Sequence, residues 1–143
     1  MGPLEGQILE ELCRPIDVLG RLLGLEVVDP LRRRVGERVT ALAETLTSGD
    51  QVAAAATTRS LMGVLFPPDV EPPHGWWRTP LGRACAVHCA DHQPPRIQAN
   101  VAAEILGVGP SRVYQLLGAG KLDRHPDGGV TRSSVMRRVA QQV

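Results

Sequence analysis

Between Glu104 and Leu122 the sequence EILGVGPSRVYQLLGAGKL begins as a helix, breaks, and begins again. Glycine in a helix interior costs roughly 1 kcal/mol and proline about 3, so Gly107, Gly109 and Pro110 forbid one continuous element. The apolar spacing on either side still asks for two. Two short helices joined by a tight turn cross steeply, and the second then projects from the body of its domain. Asn100 is expected to cap the first helix, with Val101, Ile105 and Leu106 facing inward. Ala103, four residues before Gly107, keeps the side chain small where the helices approach. Gly107 supplies the turn and Val108 plugs the angle. Gly109 caps the second helix, with Pro110 at its preferred first position. Val113, Leu116 and Leu117 then face inward, Ser111, Arg112 and Gln115 face outward, and Tyr114 lies at the edge.

Those outward residue types suit a DNA duplex. Arginine can bond a guanine edge bidentately and glutamine an adenine edge, while serine and tyrosine reach phosphates or bases. A helix N-terminus adds backbone donors for phosphate. Charge is distributed to match: from Pro94 onward seven basic and three acidic residues give +4, whereas nine basic and twelve acidic before it give −3. A basic C-terminal part joined to an acidic N-terminal part is the balance expected of a chain that binds nucleic acid through its C-terminus. After the second helix, Gly120 is a C-capping glycine. LDRHPDGGVT then reads as two very short strands around a turn at Pro126-Asp127-Gly128-Gly129. Thr131 is expected to cap a last helix with Val135 and Val139 inward and Arg137 and Arg138 outward.

The run VAAEILGVGPSRVYQLLGAGKL, in the order helix, turn, helix, hairpin, helix, resembles the excisionase-like and MerR-type winged helix-turn-helix DNA-binding families. The likeness covers roughly residues 97–140. It implies that the second helix enters the major groove and that the hairpin wing touches backbone or minor groove. By position it puts Ser111, Arg112, Tyr114 and Gln115 on the reading helix, and Lys121 and Arg124 at the wing base on phosphates. The chain departs from the family pattern twice. Its hairpin is shorter than usual, with little basic charge in HPDGG, and Gly109-Pro110 replaces the usual polar pair. The function so implied is sequence-specific binding of double-stranded DNA, by a bacterial transcriptional regulator or an excisionase-like architectural factor. The alternative is a protein-interaction adaptor whose helix-turn-helix no longer binds DNA.

Upstream the patterning is helical. Residues 4–23 place Leu4, Ile8, Leu12, Leu19, Leu22 and Leu23 on an apolar stripe, with Pro15 expected to divide two pieces. Asp29-Pro30 should open the next helix as cap and first residue, and Leu31, Val35, Val39, Leu42 and Leu46 form one amphipathic stripe. Asp50 should cap a helix running to Phe66. PPDVEPPHGWW is too rich in proline for either regular ladder. Thr79-Pro80 starts a short helix through about His88. The expected organisation is therefore mostly α: a helical bundle over 1–90, a linker at 91–96, and a winged helix-turn-helix with a short β-hairpin over 97–143. The bundle is expected to self-associate as a homodimer, doubling the contacts of one small reading head, or to receive a protein partner.

Other features narrow the function classes. With 43% hydrophobic residues but 3% aromatic, the core must be built from Leu, Val, Ile and Ala. Fifteen of the sixteen basic residues are arginine, a coding bias of GC-rich bacterial genomes. No apolar run approaches the ~18 residues of a membrane span, no secretory pattern opens the chain, and three cysteines without framework spacing fit the reducing cytoplasm. In CAVHCADH, residues Cys85, His88, Cys89 and His92 share one helical face. Four ligands on one face cannot surround a tetrahedral ion, so no metal or other cofactor is expected and the cysteines read as small hydrophobes. Arg32-Arg33-Arg34 reads as a solvated face. Trp76-Trp77 reads as a core plug before a partner anchor. Phosphate-loop, GxSxG and HExxH motifs are all missing, so an enzyme is not expected.

Overall fold

The computed structural model describes residues 2–89 and 96–142. Seven α-helices and a two-stranded antiparallel sheet are found among the described residues, and they fall into two compact units, Met1–Val70 and Glu71–Val143. The chain is mostly α, as its patterning requires. The linker expected at 91–96 lies outside the described residues apart from Arg96, and the division between units comes at Val70 instead.

The first unit contains α1 (Pro3–Leu23), α2 (Val28–Leu46) and α3 (Gln51–Leu65). α2 packs along α1 and α3 closes against both. Its core is small: Ile8 and Cys13 of α1, Val39, Ala43 and Leu46 of α2, and Ala54 and Leu61 of α3 are buried. Two expectations need correction. Pro15 does not divide α1, which runs through it unbroken. Pro15 is exposed, and packing against α2 holds together what propensity alone would break. Nor does Asp29 cap α2, which starts at Val28 with no side-chain cap. Val28 is buried, which draws it into the helix and leaves Asp29 in the first turn, where a carboxylate still favours the dipole. Asp50 does cap α3, its Oδ1 accepting from the Ala53 N–H at 3.1 Å.

The second unit begins with the tryptophan turn. Residues 74–78 form a single 3₁₀ stretch after the prolines, and Trp76 and Trp77 are buried, edge to face with centroids 5.2 Å apart. They plug the core. α4 (Pro80–Ala86) follows, with the Thr79 hydroxyl accepting from the Gly82 N–H at 3.1 Å. Gly82 has a steric reason: a Cβ there would lie 2.1 Å from the Trp76 carbonyl oxygen. β1 (Arg96–Ile97), α5 (Ala99–Leu106), α6 (Pro110–Gly118), β2 (Val130–Thr131) and α7 (Arg132–Gln141) complete the unit. α7 packs on α4 and α5, around Leu81, Cys85, Ile105, Val135, Met136 and Val139.

Two further expectations change here. Asn100 does not cap α5, which begins at Ala99 with Gln98 at the cap position and no side-chain bond. The buried Ile97 leads straight from the strand into the helix. The expected hairpin within 122–131 is reduced to a single bridge between Arg124 and Val130. β2 makes its ladder with β1 instead, Arg96 opposite Thr131 and Ile97 opposite Val130. Both Ile97 and Val130 are buried, so core burial selects this pairing over the local one.

Candidate nucleic-acid interface

The connection between α5 and α6 is three residues long, Gly107 to Gly109. Gly107 takes φ 71°, and the Val108 N–H donates back to the Ala103 carbonyl at 3.0 Å. A left-handed glycine at a helix C-terminus permits that closing bond. A side chain there would also meet Arg78, whose Cδ would lie 2.7 Å from an added Cβ. Gly109 is extended, and its carbonyl accepts the first bonds of α6 from Arg112 and Val113. Ala103, Ile105 and Leu106 of α5 are buried, as are Val113 and Leu116 of α6, while Val101 and Leu117 are half-buried.

That packing decides what α6 presents. Ser111, Arg112, Tyr114 and Gln115 are all exposed, Tyr114 at 57% of its full surface. Arg112 Nη1 donates to Gln115 Oε1 at 3.3 Å. The four side chains form one polar row on the outer face of a helix fixed from beneath by Val113 and Leu116.

Lys121 and Arg124 are exposed just beyond α6. Gly120 at φ 73° turns the chain, the Lys121 N–H returns to the Leu116 carbonyl at 2.9 Å, and Leu122 is buried as an anchor. The loop at 125–129 is tied by the His125 N–H to Gly129 O at 3.1 Å and by Arg96 Nη1 to Asp127 O at 2.8 Å. Arg96, read from sequence as linker, therefore joins the site's surroundings by holding this loop. Thr131 caps α7, accepting from the Ser134 N–H. Arg137 is exposed and Arg138 half-buried, so only the first faces fully outward.

Arg132 lies 5.9 Å over the Trp77 ring and its Nη2 is 3.3 Å from Glu71 Oε2. Together they pin the segment before the tryptophan turn onto α7. Nothing in the sequence pattern flagged Arg132 as buried.

Cys85 and Cys89 are buried and His88 is half-buried, whereas His92 lies outside the described residues. Burial pushes the Cys89 thiol up to about 11, which disfavours the thiolate that metal ligation needs. Among the described residues no group of three or more His, Cys, Asp or Glu is arranged to hold a metal ion. No helix among them is long and apolar enough to cross a membrane.

What the fold and site define is a mostly helical chain whose second unit carries an exposed polar row on a helix set off by a glycine turn. Compared with protein-family models, curated proteins and solved structures, the chain finds no match.

Proposed function

We propose that the second unit is a winged helix-turn-helix of the excisionase-like or MerR type and that it binds double-stranded DNA sequence-specifically. α6 is the reading helix. One observation carries this: Ser111, Arg112, Tyr114 and Gln115 stand exposed on its outer face while Val113 and Leu116 anchor the other. Arginine and glutamine spaced three apart on one helical face can address neighbouring base edges. The loop between Arg124 and Val130 is the wing, short and closed by the bridge between those residues. Lys121 and Arg124 contact phosphates, which set register without carrying sequence information.

The first unit makes the protein a homodimer. Leu22, Leu23 and Leu25 are 76%, 65% and 74% exposed, and Val18, Leu19 and Leu31 are exposed beside them in the α1–α2 hairpin. Contiguous apolar surface of this kind marks an association face. A dimer presents two reading heads to two half-sites. The role is that of a cytoplasmic bacterial transcriptional regulator or DNA-architectural factor.

Selection of duplexes from a random library by the full chain tests the reading. One enriched site, bound with a steep salt dependence, is the expected result. Loss of any sequence preference, together with salt-insensitive capture of a single protein, would replace it with the adaptor reading.

A further inference from the structure

Between the turn after α6 and the outer side of α7 lies a small polar cleft of about 190 Å³, lined by Lys121, Asp123, Ser134, Arg137, Arg138 and Gln141. Three cations and one carboxylate leave it net positive. Lys121 is exposed and takes part in none of the ion pairs found among the described residues. Arg137 Nη2 reaches Asp123 Oδ2 only at 3.5 Å, and both side chains are more than half exposed. Such a pair is weak and readily exchanged. Nε of Arg138 is buried with no acceptor, so its guanidinium is underused. The Ser134 hydroxyl, by contrast, is committed, donating to the Thr131 carbonyl and accepting from the Asp123 N–H.

The volume and the lining restrict the occupant. At about 190 Å³, where a single water needs only ~10–15 Å³, the cleft has room for a phosphate group and its hydration. It falls below the ~300 Å³ of ordinary small-molecule pockets. An acceptor-only anion is the natural partner for ammonium and guanidinium donors. The cleft also adjoins the C-terminal end of the exposed helix. Gly118, the last residue of α6, lies about 9 Å along the helix from Arg112 at 1.5 Å per residue, a span comparable with the ~12 Å major groove whose rims are phosphates.

We propose that this cleft is a backbone-phosphate site, in which Lys121, Arg137 and Arg138 grip one phosphodiester of the duplex that α6 reads. This rests on the DNA-binding reading of α6 and extends the protein's footprint to α7. Asp123 tempers the site: it holds Arg137 in the free protein and opposes the phosphate in the complex.

The test is salt-dependent binding of the full chain to its selected duplex and to a scrambled one, for wild type, Arg137→Gln, Arg138→Gln and Asp123→Asn. Arg137→Gln should weaken both duplexes alike and lower the slope of log K against log salt by about one unit. Asp123→Asn should tighten both by about two- to five-fold, an effect that a merely structural role would not produce. A melting curve accompanies each variant. Arg138→Gln is the one that packing could affect, and the exposed Arg137 and Asp123 keep the test decisive if it unfolds. Inorganic phosphate at fixed ionic strength, followed by NMR of the arginine side chains, separates the two sources of the anion. Unchanged slopes with wild-type DNA affinity would overturn the phosphodiester site while leaving α6 as reader. Phosphate-induced shifts alongside unchanged slopes would overturn it too, in favour of free phosphate. A wild-type chain that binds no duplex at all would overturn both.

Discussion

Arg112 and Gln115 are hydrogen-bonded to one another on the open face of α6, Nη1 to Oε1 at 3.3 Å. The bond is long, exposed and made between residues one helical step apart, so it is worth little in stability. It holds side by side the two side chains to which the proposed function assigns base reading, and on that reading each would exchange the other for a base edge. Arg112→Ala or Gln115→Ala should therefore leave the melting temperature unchanged. Each should cost about 1–3 kcal/mol on the preferred duplex and relax preference at one or two base pairs. Titrations on preferred and scrambled duplexes measure this. Equal losses on both would show that α6 is not reading bases.

The turn that aims α6 should be intolerant of a side chain. Gly107 sits at φ 71° and an added Cβ would press on Arg78. Gly107→Ala should destabilise the second unit by roughly 1–2 kcal/mol from the left-handed backbone alone. Gly118→Ala, where a Cβ meets nothing within 4 Å, should be neutral or stabilising by up to about 1 kcal/mol. Urea unfolding of the two variants would settle the contrast, and similar midpoints would refute it.

Thr58 carries the one polar side chain in the core of α3, 1% exposed with its hydroxyl unpartnered. A buried hydroxyl without a partner costs stability, and valine has the same branched shape. Thr58→Val should stabilise the first unit by about 1 kcal/mol. A lower denaturation midpoint would mean that the hydroxyl finds an acceptor in solution.

Cys89 should be chemically silent and alkali-sensitive. Its thiol is pushed from near 9 to about 11 by burial, with nearby Glu71 adding and Arg132 opposing. The folded state thus holds the proton more tightly than the unfolded chain. Its contribution is complete below pH 9 and is lost as pH rises from about 9 to 11. Melting temperature should fall across that window, and less steeply in Cys89→Ala. Cys13 and Cys85 are buried too, so a thiol reagent at pH 8 should titrate three cysteines only after denaturation. Prompt labelling of Cys89 in the native protein would contradict its burial.

The exposed leucines of the first unit should govern oligomeric state. Leu22→Glu with Leu23→Glu removes apolar surface without touching the core, since both side chains are mostly exposed. Wild type should show a dimer mass in light scattering at tens of micromolar, and the double variant a monomer with unchanged helicity. A monomeric wild type, with or without DNA, would refute the dimer.

Features whose physics closes within one helical turn were legible in the order of residues alone. Gly107, Gly109 and Pro110, three breakers within four residues, end one helix and start the next through local backbone preference. Asp50, Thr79 and Thr131 cap their helices by bonds to residues three further on. The inward positions Val113, Leu116, Val135 and Val139 follow from spacing, and so does the exposed row on α6. Features that depend on partners distant in the chain were not legible there. Pro15 stays inside α1 because α2 packs along it, and propensity is the weaker term. β2 leaves its local partner for β1 because Ile97 and Val130 are both buried by that pairing. The cleft that gathers Lys121, Arg137 and Arg138 exists only because α7 folds back beside the turn after α6. Spacing along a chain fixes which way a side chain points. Which other segment it meets is set by long-range burial, to which no local pattern has access.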